Sequence, residues 1–101
     1  MSLIITKHAE KRAKERLGLN KKAVQRQGEL ALDKGISHGQ TKSRLKRWID
    51  KEATKIGSFA SDYIIYNSHL FIFRNCDENK ALITMIPVPS NLMSKIKSYI
   101  K

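Results

Sequence analysis

Three histidines and a set of spaced arginines carry the chemistry in this chain. His8, Arg12 and Arg16 recur at i, i+4 and i+8, a spacing that puts one imidazole and two guanidiniums along one side of a helix. An imidazole gives or takes a proton near neutral pH, and a guanidinium holds a phosphate with two parallel hydrogen bonds. That combination suits a phosphodiester. Metal-free RNA cleavage uses the neighbouring 2′-hydroxyl as nucleophile. It needs a base for that proton, an acid for the leaving oxygen and cations around the phosphorus. His38, in a polar loop beside Gly39, has no apolar reason to be there. Lys42, Arg74 at a strand end and Thr84 in an otherwise apolar strand complete the set of suitable residue types. Each also has a structural reading. Arg12 and Arg16 can pair with Glu15 or Glu10 or lie along the core. Thr84 can satisfy its hydroxyl on the backbone. The whole row can be solvated surface.

Other chemistries lack their residues. The nine acidic side chains are scattered, which disfavours a carboxylate-bound two-metal centre. His8, His38 and His69 show no metal-ligand spacing, and one cysteine, Cys76, builds neither a disulfide nor a zinc ribbon. There is no phosphate-cradling glycine loop and no nucleophile elbow. The expectation is a protein without metal or cofactor. The lone cysteine fits a reducing cytoplasm, and no apolar run approaches the ~20 residues of a membrane span.

Charge points to the partner. Twenty Lys and Arg face nine Asp and Glu, a net +11. Residues 1–56 hold 15 basic and 6 acidic side chains, a net +9, and residues 57–101 a net +2. A basic half joined to a nearly neutral, apolar half suggests a face for a polyanion, with RNA favoured over DNA. The bland counterpart is a generic lysine-rich surface.

The elements that position these residues can be read in turn. Leu3 to Ile5 is a short edge strand or an apolar lead-in. Thr6 caps a first helix and Gly18 ends it, with Ala9, Ala13 and Leu17 as its apolar stripe. A second helix runs from the Asn20 cap to about Lys34, where Gly35 is expected to be left-handed. A third covers about Thr41 to Lys55, capped by Ser37 or Thr41. Leu45, Trp48, Ile49, Ala53 and Ile56 lie on one of its faces, and Lys42, Arg44, Lys46, Arg47 and Lys51 on the other. From Tyr63 the period changes to that of strands. A hairpin turning at Asn67-Ser68 pairs Tyr66 with His69 and Ile64 with Phe71. A polar turn at Asn75 to Lys80 leads to a third strand, Ala81 to Ile86, pairing Phe73 with Leu82 and Phe71 with Thr84. Pro87 and Pro89 end it, and a last helix covers about 90–100.

The expected fold is a single α+β domain over residues 1–101. Its helical part covers about 6–56. A three- to four-stranded antiparallel meander covers about 62–87, and a short C-terminal helix follows. Both faces of that sheet are largely apolar. Helices cover one face. The other is left for the C-terminal helix, a partner or a ligand.

The segment His8-Ala9-Glu10-Lys11-Arg12-Ala13-Lys14-Glu15-Arg16-Leu17-Gly18 resembles the His-Ala-x-x-Arg-x-x-x-Arg-x-Gly opening of small proteins in the Barnase–EndoU–colicin–RelE superfamily. Leu82 to Pro87 resembles their late strand. Residues 37–47 look like a segment of small phage and prophage proteins of Gram-positive bacteria. The resemblance implies a metal-independent ribonuclease, or a relative that keeps the RNA-binding shape, made by a phage or prophage in a bacterial cytoplasm. It implies His8, Arg12 and Arg16 as active-site residues and Thr84 at the late-strand polar position. His38 and Lys42 have no counterpart in it. Arg44, Arg47 and Arg74, with Lys42, are the candidate nucleic-acid contacts. Two alternatives stay open. One is a non-catalytic module that binds nucleic acid or a protein, such as an antitoxin or a host system. The other is an assembly protein using the second sheet face.

Overall fold

The structure, a computed structural model, describes residues 3–56, 62–76, 79–93 and 96. Helix α1 spans Lys7–Leu17, and its ends are set by the two expected residues. Thr6 is extended and its Oγ1 accepts the Ala9 amide at 3.2 Å. Gly18 has φ 66° and its amide returns to the Ala13 and Lys14 carbonyls. Helix α2, Lys21–Lys34, starts at Asn20, whose Oδ1 accepts the Ala23 amide at 2.9 Å.

Gly35 departs from the expected left-handed stop. Its φ and ψ are −71° and 167°, so the chain leaves α2 in an extended path. Glycine is required there for another reason. A Cβ would overlap the Ile64 side chain and the Ala31 carbonyl. This close approach lets Ile36–Ser37 form a two-residue strand, β2, against the later sheet.

His38–Gln40 is a 3₁₀ turn. Helix α3 then runs Ser43–Ile56, two residues later than expected, because Thr41 is engaged elsewhere: its hydroxyl donates to the His38 carbonyl at 2.6 Å. Residues 57–61, between the expected helical part and the meander, lie outside the described residues.

The remaining strands are β3, Asp62–Tyr66, β4, His69–Cys76, and β5, Asn79–Pro87. Leu3–Ile5 is strand β1, and it pairs in parallel with β5. The sheet therefore has five strands in the order β1-β5-β4-β3-β2, not three or four. The second strand turn is tighter than expected. Its pairing continues to Cys76 opposite Asn79, and residues 77 and 78 lie outside the described set.

The hairpin register is as expected, with Tyr66 opposite His69 and Ile64 opposite Phe71. Asn67 and Ser68 have φ 50° and 65°, the two positive values that suit a tight turn between twisted strands. The next register is not. Phe73 pairs with Leu82, but Ile72 pairs with Thr84 and Phe71 with Met85. Ile83 is the extra residue of a bulge. A bulge reverses which face later side chains take, so Met85 shares a core with Leu82 while Ile83 and Ile86 pack on the opposite side.

Both faces of the sheet are covered. Against one, α1 and α2 bury Ala9, Ala13, Val24 and Ala31 on Ile64, Phe71, Phe73, Leu82 and Met85. Against the other, α3 buries Leu45 and Ile49 on Ile65, Leu70 and Ile72, joined by Val88, Leu92 and Ile96. Each large side chain fully removed from water contributes about 1.5–3 kcal/mol. The apolar second face is thus core. Of the expected C-terminal helix, Ser90–Leu92 is a 3₁₀ turn, and residues 94, 95 and 97–101 lie outside the described set. No helix among the described residues is long and apolar enough to cross a membrane.

Candidate functional site

Two of the three α1 residues have partners within the protein. Arg16 Nη1 donates to the Met85 carbonyl of β5 at 2.6 Å. Arg12 Nη1 lies 3.6 Å from Glu15 Oε2, one turn along the same helix. His8 is exposed and meets no hydrogen-bond partner among the described residues. Thr84 is buried on β5 opposite Ile72, whose side chain belongs to the core under α3.

A tighter cluster forms at the β2 edge. His38 Nε2 is 2.7 Å from Asp50 Oδ1 on α3. The backbone holding His38 is itself fixed. Its carbonyl accepts both the Thr41 amide, at 3.1 Å, and the Thr41 hydroxyl, and Thr41 is buried. The turn is closed from the other side by Gln40 Oε1, which accepts the Ser37 amide at 2.9 Å. On α3, the Thr54 hydroxyl donates to the Asp50 carbonyl at 2.9 Å.

Tyr63 stands beside the imidazole, its ring centroid 6.3 Å away with the planes at 60°. Burial raises the Tyr63 phenol above its ordinary value of 10.0, so it remains a hydrogen-bond donor at neutral pH. His38 and Tyr63 line a cleft of ≈ 340 Å³ with Ser37, Gly39, Asp62 and Ile64. Asp62 is held at the cleft edge by Lys80 Nζ, which also donates to Asn75 Oδ1 at 3.0 Å. Arg74, exposed on β4, follows the Phe73–Asp62 pair and so lies at this same end of the sheet.

His38 and His8 are far apart. Thr6, two residues before His8, is bonded to the Leu82 and Ile83 carbonyls of β5. His38 follows β2, three strands away across the sheet. At about 4.8 Å per strand that is roughly 14 Å. No contact among the described residues brings the two imidazoles together. A second cleft of ≈ 240 Å³, at the α1–α2 turn, is lined by Glu10, Lys14, Gly18, Leu19, Asn20 and Lys21, and by no candidate residue.

The His38 arrangement has a defined chemical capacity. With the Nε2 proton donated to Asp50, Nδ1 carries the lone pair of a base. That lone pair is the site at which a proton from a bound hydroxyl would be taken. Nδ1 has no bonding partner among the described residues. Lys46 and Arg47, four and three residues before Asp50, share its side of α3. Among the described residues no three His, Cys, Asp or Glu side chains come together as a metal site.

Asp50 and Tyr63 were absent from the candidate residues read from the sequence. Asp50 had one signal. It is the only acid amid Lys42, Arg44, Lys46, Arg47 and Lys51 on the polar side of α3. Tyr63 had none, because it reads as an ordinary strand aromatic.

Compared with protein-family models, with curated proteins and with solved structures, the chain matches none. Fold and site alone define its class: a basic α+β domain with a sheet covered on both faces and an imidazole–carboxylate pair at one sheet edge.

Proposed function

We propose that this domain is a metal-independent ribonuclease whose acid–base group is His38. The observation that carries the reading is the 2.7 Å bond from His38 to Asp50 at the wall of an open cleft. His38 Nδ1 takes the proton of the 2′-hydroxyl, whose oxygen attacks the adjacent phosphorus. The bond from phosphorus to the 5′-oxygen breaks, and the imidazolium returns its proton to that oxygen. The products are a 2′,3′-cyclic phosphate and a 5′-hydroxyl. The Tyr63 phenol donates a hydrogen bond in the cleft, Lys80 stands at its edge through its bond to Asp62, Arg74 lies at the same end of the sheet, and Lys46 and Arg47 share the Asp50 side of α3. The net charge of +11 supports a polyanionic substrate. This reading keeps the reaction class that the superfamily resemblance implies and takes His38, in place of His8, as its centre. The setting proposed is the cytoplasm of a bacterium hosting a phage or prophage.

The experiment is digestion of total bacterial RNA in EDTA. Wild type should release fragments with cyclic-phosphate ends. His38→Ala should lose about 10²-fold or more of the rate, and His8→Ala should lose little. Intact RNA after incubation with wild type would reject catalysis. Equal loss in both variants would return the centre to α1.

A second reading, RNA binding without cleavage, is favoured by the engagement of Arg12 and Arg16 with Glu15 and Met85. It expects binding that weakens steeply with salt and leaves no fragments.

A further inference from the structure

Helix α3 presents a row of cations that the protein itself does not neutralise. Leu45 and Ile49 are fully buried under the helix, which fixes its rotation. At 100° per residue, Arg44, Arg47 and Lys51 fall within about 60° of one another on the pole facing away from the sheet. All three are exposed, and none forms an ion pair with a described residue. Acids on α3 are used elsewhere: Asp50 on His38 and Glu52 on Lys55, at 3.6 Å. Outside α3, Arg12 is paired with Glu15 and Lys80 with Asp62, while Lys22, Arg26 and Lys34 on α2 are exposed and form no ion pair with a described residue.

We propose that Arg44, Arg47 and Lys51 form a backbone-gripping surface for RNA, separate from the His38 cleft and continuous with it. Continuity comes through Arg47, which lies one turn before Asp50, the residue bonded to His38. From Arg44 to Lys51 the helix rises about 10 Å, long enough to engage more than one phosphate of a strand. The substrate is then a polynucleotide that reaches from the row into the cleft, and a dinucleotide fills only the cleft. Arginine at two of three positions favours bidentate phosphate contact. The choice of RNA as the polyanion rests on the ribonuclease reading. The grip itself does not.

The test measures binding of a single-stranded RNA long enough to span both surfaces, on a His38→Ala background so that cleavage is silent. The triple variant Arg44→Gln, Arg47→Gln, Lys51→Gln is compared with Lys22→Gln, Arg26→Gln, Lys34→Gln on α2, which removes the same charge from other exposed positions. Both sets are surface changes, checked by unchanged thermal unfolding. The α3 variant should bind on the order of tenfold or more weakly, with its log–log salt slope reduced by about 2, and the α2 variant should change little. Equal losses in the two variants would show diffuse attraction and overturn the proposal, as would an unchanged α3 variant. Equal affinity for DNA or polyglutamate of the same length would overturn RNA as the partner. Wild type that binds through the row but leaves RNA intact would refute the ribonuclease reading alone.

Discussion

The guanidinium of Arg16 donates to the backbone carbonyl of Met85 at 2.6 Å, tying α1 to the part of β5 beyond the end of β1. Strand β1 pairs only as far as Leu82. From there on, the carbonyls of β5 take bonds from α1 and its cap: Leu82 and Ile83 from the Thr6 hydroxyl, Met85 from Arg16. A residue type chosen for phosphate is here bonded to a strand carbonyl.

Arg16→Gln should therefore destabilise the fold by about 1–2 kcal/mol, the worth of a part-exposed charged hydrogen bond. In urea the midpoint should fall with the m-value unchanged, and RNA cleavage per folded molecule should hold. Unchanged stability together with lost cleavage would make Arg16 an active-site residue after all.

Ser68 is held at φ 65° in the hairpin turn. A left-handed conformation costs a residue with a Cβ about 1–2 kcal/mol. Glycine avoids that cost but loses about 0.5–1 kcal/mol through its freer unfolded chain. Ser68→Gly should come out stabilising by about 0.5–1 kcal/mol, a rise of several degrees in Tm by calorimetry. A lower Tm would mean the serine side chain contributes something the turn geometry does not reveal.

Tyr63 makes stability fall at high pH. Burial raises its native value above the 10.0 of the unfolded chain. Between those two values the native state holds a proton that the unfolded state has released, so stability declines as pH rises past about 10. Below that, both states are protonated and the group is silent. The urea midpoint of wild type should drop in this alkaline window more than that of Tyr63→Phe. Parallel curves for the two proteins would rule this out.

How far the sequence could be read follows from the range of each interaction. The caps at Thr6, Gly18 and Asn20 and the Asn67-Ser68 turn are local, and their residue types were sufficient. Strand β2 was not visible, because two residues carry no period and Gly35 reads as a helix stop until Ile64 is known to press against it. The bulge at Ile83 was equally hidden: every residue near it is apolar or small, so either register satisfies a sheet buried on both faces. The chemistry divides the same way. The His8 row is a pattern within one helix and was easy to see. The bond from His38 to Asp50 depends on how a 3₁₀ turn docks on the following helix, which no periodicity reports. Finding it from sequence needed attention to one carboxylate out of place among cations.

The pairing of β1 with β5 has a consequence for how the molecule is made. Leu3 meets Lys80 and Ile5 meets Leu82, so the first of the five described strands along the chain waits for the fifth. Contacts so distant along the chain are slow to form, because the loop between them must close first. Until β5 exists, β1 has no partner, Thr6 and Arg16 have no carbonyls to bind, and α1 has no edge to lie along. Completion of the sheet thus depends on its fifth strand. An unfinished or truncated copy lacking β5 lacks the strand that joins its first helix to the rest.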